Sequence, residues 1–110
     1  MNSDQEMIDA MSALAQPSRL AIMRLLIREE PDGLPAGEVA ARIGARQNTT
    51  SVNLAILARA GLVASEPRGR HIHYQADLTQ FRAVMIFLAK DCCQGRLDLC
   101  PELTAALGTR

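Results

Sequence analysis

Apolar residues recur along most of this chain at helical spacing, with one stretch where they alternate instead. Ser3 followed by Glu6 has the form of a capping box, and Met7, Ile8, Met11 and Leu14 then share a stripe, which predicts a first helix ending near Ala15. Pro17 suits the first turn of a second helix carrying Leu20, Ile22, Met23, Leu25, Leu26 and Ile27. Apolar residues on most of its sides place it at the centre of the core, and Pro31-Asp32-Gly33 ends it. A short third helix fits Ala36 to Ile43, with Val39, Ala40 and Ile43 inward and Gly44 closing it. In the next stretch Thr50, Leu54, Leu57 and Ala58 recur at i, i+4, i+7 and i+8 and predict the inner face of a fourth helix. Its other face carries Asn48, Thr49, Ser51, Val52 and Asn53 without a single charge, and Gly61 suits a left-handed position just past its end.

Leu62 to Glu66 and His71 to Gln75 then read as two short strands around the turn Pro67-Arg68-Gly69-Arg70. A last helix opens at Asp77, whose carboxylate can cap it while Gln80 reaches back, and runs to about Lys90 or Cys92 with Leu78, Phe81, Val84, Met85 and Leu88 as its stripe. Two short helices joined by about three residues and followed by a hairpin form a winged helix-turn-helix. The predicted fold is therefore mainly α with a small β-hairpin, in one domain over residues 1–110. The helix-turn-helix spans about 36–60, the wing about 62–75, and a C-terminal segment about 91–103. Both terminal helices carry more apolar surface, Ile86 and Phe87 included, than a core of this size needs. That predicts a homodimer packed through the first and last helices across a two-fold axis; the plainer alternative is that these residues complete the monomer core.

Composition narrows the classes. A chain of 110 residues, 48% hydrophobic and 3% aromatic, is one core and short for an enzyme with its own substrate domain, so neither enzymatic activity nor an organic cofactor is expected. No apolar run approaches the ~20 residues that cross a bilayer, and the N-terminus is acidic and polar, so a cytoplasmic protein with no membrane partner is expected. The formal net charge of zero hides a gradient. Between Arg42 and His73 stand Arg42, Arg46, Arg59, Arg68 and Arg70 against Glu66 alone, while acidic residues gather toward both termini. The uncharged hydrogen-bonding face, Gln47, Asn48, Thr49, Ser51, Val52 and Asn53, suits base edges of double-stranded DNA, and Arg68 and Arg70 around Gly69 suit its phosphates. A symmetric dimer would read a pseudo-palindromic operator. The bland counterpart is a solvated surface with scattered arginines and an ordinary hairpin.

Several segments, in this order, resemble the ArsR/SmtB family of winged-helix repressors: Ala15-Gln16-Pro17-Ser18-Arg19-Leu20, Gly37-Glu38-Val39-Ala40, Gln47-Asn48-Thr49-Thr50-Ser51-Val52-Asn53-Leu54, Ala60-Gly61-Leu62-Val63, and Gly69-Arg70 with Tyr74. The resemblance implies a homodimer that represses transcription and releases DNA when a metal or metalloid binds. At Asn53 the family often has His before Leu; Asn can still bond an adenine edge or a phosphate.

The inducer must be argued from the cysteines. Cys92, Cys93 and Cys100 are an odd number within nine positions and do not form a disulfide framework. Neighbouring alpha carbons ~3.8 Å apart disfavour a Cys92-Cys93 bridge, although Cys93-Cys100 could close as a redox pair. If the helix persists through Cys93, adjacent side chains point ~100° apart and reach a common centre only with local unwinding, after which Gly95 lets the loop bring in the third thiol. Three thiolates with no nearby fourth Cys or His suit trivalent arsenic, with trivalent antimony close behind, whereas zinc prefers four ligands. The segment Asp91 to Leu103 also resembles the C-terminal triple-cysteine element of arsenite-responsive members. Leu34 to Ile43 lacks the family's commoner paired cysteines, and Asp77 to Lys90 lacks the histidines of its zinc-type site. No arginine stands six positions after Cys92 or Cys93, which excludes a phosphatase-like loop. His71 and His73 share a strand face and could in principle hold a metal, but are read as surface or DNA-side residues. The expected function is an operator-binding repressor released by trivalent arsenic at Cys92, Cys93 and Cys100, the alternative being a thiol redox switch on the same scaffold.

Overall fold

The computed structural model describes residues 3–92, 94–96, 98 and 101–107, the side chains of 91, 92 and 104 aside. Helix α1 spans Asp4–Leu14, and Ser3 and Glu6 form the expected capping box, with Ser3 Oγ accepting from the Glu6 amide at 3.1 Å. Helix α2 covers Pro17–Arg28, α3 Ala36–Ile43 and α4 Gln47–Arg59. Gly44 closes α3 at φ 72°, and Gly61 follows α4 at φ 80°, both left-handed as their positions required. Strands β2 (Val63–Arg68) and β3 (His71–Ala76) pair antiparallel from Val63–Ala76 to Arg68–His71, leaving a two-residue loop with Gly69 at φ 63°. A further two-residue strand, β1 (Leu34–Pro35), pairs Leu34 with Tyr74, so the wing is a three-stranded sheet in the order β1-β3-β2.

Helix α5 spans Leu78–Ile86 and widens into a π-helix over Phe87–Cys92, and α6 spans Pro101–Leu107. Asp77 caps α5 by accepting from the Thr79 amide at 3.1 Å, but Gln80 does not complete a box: its Nε2 donates instead to the Ala60 carbonyl at 3.4 Å, tying α5 to the end of α4.

One core joins the helices to the sheet. Met7, Ile22, Met23, Leu26, Val39, Leu54, Leu57 and Leu62 are fully buried in it. The buried face of α1 runs through Met7, Ala10 and Ala13, where small residues admit close approach; Ile8, expected inside, is half exposed. On α5, Val84 is buried, whereas Met85 and Ile86, and Leu88 in the π-helix, face outward. Ala58 is likewise exposed, one position round from the stripe that α4 buries. No helix among the described residues is long and apolar enough to cross a membrane.

Candidate nucleic-acid interface

Helices α3 and α4 meet through the turn Gly44-Ala45-Arg46, and α4 begins at Gln47 with no side-chain cap from Arg46. Its first amides must therefore find other acceptors. Asn48 supplies one, its Oδ1 accepting from the Thr49 amide at 2.8 Å. Gln47, Asn48, Thr49, Ser51 and Val52 are all exposed, with Val52 at 60%. Together they form an uncharged surface of donors, acceptors and methyl groups on the first two turns of a helix, the chemistry that major-groove base edges require.

Asn53 corrects the sequence expectation. It is 7% exposed and turned into the protein, where its Oδ1 accepts from Arg19 Nη1 at 3.1 Å. Asn53 occupies the i+3 position from Thr50 and so shares the buried stripe with Thr50, Leu54 and Leu57. A buried amide needs partners, and the guanidinium of Arg19 is one. The outward set is thus Gln47, Asn48, Thr49, Ser51 and Val52, without Asn53.

The arginines of the basic stretch are not equivalent. Arg42 bonds Glu38 at 2.8 Å and Glu29 at 3.3 Å; the hydrogen bond to Glu38, then that to Glu29, raises its pKa above the ordinary arginine value, and its charge is largely answered. On the wing, Arg68 Nη2 lies 3.4 Å from Glu66 Oε1, which also accepts from Gln75 Nε2 at 3.0 Å. Arg68 is therefore half-buried and paired. Arg70, at the wing tip, and Arg46, at the head of α4, have no partner among the described residues; Arg70 is exposed. Arg59, at the end of α4, is likewise exposed and without a partner among the described residues; of these three guanidinium groups open to phosphate, the sequence singled out only Arg70 as a contact. His73 Nδ1 lies 3.3 Å from the Asp32 carbonyl oxygen and His71 is exposed. Among the described residues no cluster of His, Cys, Asp and Glu is placed to hold a metal ion.

Of the cysteines, Cys92 ends the π-helix in its backbone, while its side chain, Cys93 and Cys100 lie outside the described residues. The backbone around them turns sharply. Gln94 and Gly95 take φ 57° and 69°, the Gly95 amide donates to the Ala89 carbonyl at 3.1 Å, and Arg96 grips Asp98 through two bonds of 3.0 and 3.1 Å.

A two-helix unit with an outward polar second helix and a basic wing defines a winged helix-turn-helix protein of the nucleic-acid-binding class. A helix-turn-helix domain family matches residues 14–66. The chain is 31% identical over 84 residues to the transcriptional activator HlyU of Vibrio cholerae, covering 76% of this chain and 75% of that protein. Among solved structures, an ArsR-like transcriptional regulator from Rhodococcus sp. RHA1 superposes with a TM-score of 0.74 at 23% identity, covering 96% of each chain. A possible transcriptional regulator for arsenical resistance superposes with a TM-score of 0.60 at 30% identity, covering 70% of this chain and 80% of that one. The chain belongs to the same family of helix-turn-helix transcriptional regulators as HlyU, and its fold is that of the ArsR-like regulator.

Proposed function

We propose that the protein is a homodimeric repressor that occupies a pseudo-palindromic operator and releases it when trivalent arsenic binds Cys92, Cys93 and Cys100. The observation that carries the DNA-binding half is the exposed, uncharged face of Gln47, Asn48, Thr49, Ser51 and Val52, flanked by Arg46 and Arg70, which have no partner among the described residues. Base edges would meet α4 and phosphates the arginines. In a dimer two such helices reach successive major grooves, and promoter occupancy represses transcription.

The sensing half is supported by the donor set and by the backbone that carries it. A π-helix winds more loosely than an α-helix and often marks a functional site. Its occurrence over Phe87–Cys92 is the kind of local unwinding that adjacent thiols need to converge. Three thiols and one arsenous acid would exchange three As–O bonds for three As–S bonds, releasing three waters with no change in oxidation state. The match to a possible regulator for arsenical resistance points the same way. Captured arsenic would draw the C-terminal segment onto the end of α5, shift the dimer packing, and disfavour the spacing that fits the operator. By linkage, operator DNA weakens arsenic binding by the same factor.

The test is operator binding by fluorescence anisotropy at fixed salt, with arsenite, zinc or peroxide added, for the wild type and Cys92→Ser, Cys93→Ser and Cys100→Ser. Arsenite is expected to release the wild-type complex, and each serine variant to bind DNA while resisting release. Release by peroxide alone would replace the arsenic reading by the redox one, and absence of sequence-selective binding would end the repressor reading.

A further inference from the structure

We infer that Arg19 is a positioning residue that sets the pitch of α4 by tying it to the end of α1. Its backbone is fixed first: the Arg19 amide donates to Gln16 Oε1 at 2.9 Å, the cap that starts α2. From there the side chain reaches two other helices at once. Nε donates to the Ala13 carbonyl at 2.7 Å and Nη1 to Asn53 Oδ1 at 3.1 Å. Ala13 lies in the last turn of α1, whose carbonyls have no partner within the helix, and α1 has no basic residue of its own there. The cation from α2 therefore also answers the negative end of the α1 dipole.

Asn53 lies in the middle of α4, one residue beyond the outward face. A planar guanidinium with two donors on acceptors of two helices fixes both their separation and their relative angle, which a single flexible ammonium would not. Beside the bridge, an open groove of about 190 Å³ lined by Asp9, Ser12, Ala13, Arg19, Ile56 and Arg59 runs between α1 and the second half of α4, so the guanidinium is the polar link at the edge of their apolar contact. Because α1 is also a predicted dimer helix, the bridge joins the dimer contact to the reading helix by one side chain. The inference rests on the reading of α4 as the helix that contacts DNA.

Two measurements on the full chain separate the bridge from that reading. In the free protein, amide hydrogen exchange over residues 47–59 should quicken in Arg19→Ala and Asn53→Ala, and no further in the double variant. Unchanged exchange in both single variants would overturn the inference whether or not DNA is bound. On operator DNA, each variant should lose about tenfold in the ratio of specific to non-specific affinity, the double variant no more than the worse single one, and Arg19→Lys should fail to restore it. The salt dependence of binding should stay that of the wild type, in contrast to Arg70→Ala, where losing a phosphate contact lowers the slope by about one. Additive losses, or a lowered slope in Arg19→Ala, would show that Arg19 does not act through Asn53. Asn53→Ala removes only the acceptor and leaves Arg19 its bond to Ala13, so it remains informative if Arg19→Ala folds poorly. Should the wild type prefer no DNA sequence, the exchange result still decides the bridge, and the repressor reading alone falls.

Discussion

Thr50 lies beneath the outward face of α4, fully buried, and its hydroxyl has no hydrogen-bond partner among the described residues. An unpaired buried hydroxyl costs roughly 1–3 kcal/mol. Thr50→Val keeps the branched shape and the helix propensity while removing the polar group, so the thermal midpoint should rise, by a stabilisation of about 1 kcal/mol. Operator affinity should stay unchanged, because the side chain points away from the reading face. A lowered midpoint in a melting curve would mean that the hydroxyl is satisfied in solution. The same stripe shows what a sequence does and does not reveal about single residues. Spacing alone puts Thr50, Leu54 and Leu57 inside, and the same spacing holds for Asn53 at i+3 from Thr50. Its polarity argues for the outside instead, because its partner, Arg19, lies 34 residues away. A buried polar side chain is predictable only together with the group that satisfies it. The outward five residues are legible because each is polar or small and off the apolar stripe.

At the scale of elements, two glycines with nearly the same dihedral angle should behave differently. Gly44 takes φ 72°, and a Cβ at that position would meet nothing within 4 Å, so Gly44→Ala incurs only the left-handed penalty, about 1 kcal/mol. Gly33 takes φ 70°, and a Cβ there would run into the Tyr74 carbonyl oxygen and lie 2.7 Å from Gln75 Cγ. The carbonyl belongs to β3 and has little room to move, so Gly33→Ala should cost clearly more, by urea denaturation, and loosen the pairing of β1 with β3. Equal losses in the two variants would refute that ranking. Gly33 is legible as part of the turn that ends α2, but β1 after it is only two residues long and too short to show alternation. Helices of eight residues or more are legible from their periodicity, and α1 with its capping box, but the expected box at α5 is only half formed because Gln80 bonds the Ala60 carbonyl, 20 residues away in sequence. The π-helix is not, because its i to i+5 pattern leaves no mark in the spacing of apolar residues. Helix α6 opens with Pro101 at its first position, a signal that is present but overshadowed by the cysteine before it.

For the whole molecule, the decisive quantity is the apolar surface left outside the core. Ile8 on α1 is 51% exposed, and Met85, Ile86 and Leu88 around the end of α5 are 48%, 56% and 42% exposed. With Val84 buried and Phe81 and Phe87 packed against the core, this stretch is apolar on nearly all sides, a pattern that suits a helix covered on its second side. A two-fold contact of these helices would cover them. Ile86→Asp places a charge in that contact but alters nothing buried in the single chain, so the circular dichroism spectrum should stay unchanged while sedimentation shifts from dimer to monomer. Operator affinity should then fall by at least about a hundredfold, because each half-site must be held by one α4 without the second helix supplied at high effective concentration. The loss separates two roles of the same surface: a variant still dimeric by sedimentation would place the contact elsewhere, and a monomer that binds the operator as tightly as the wild type would mean that one protomer reads the site alone.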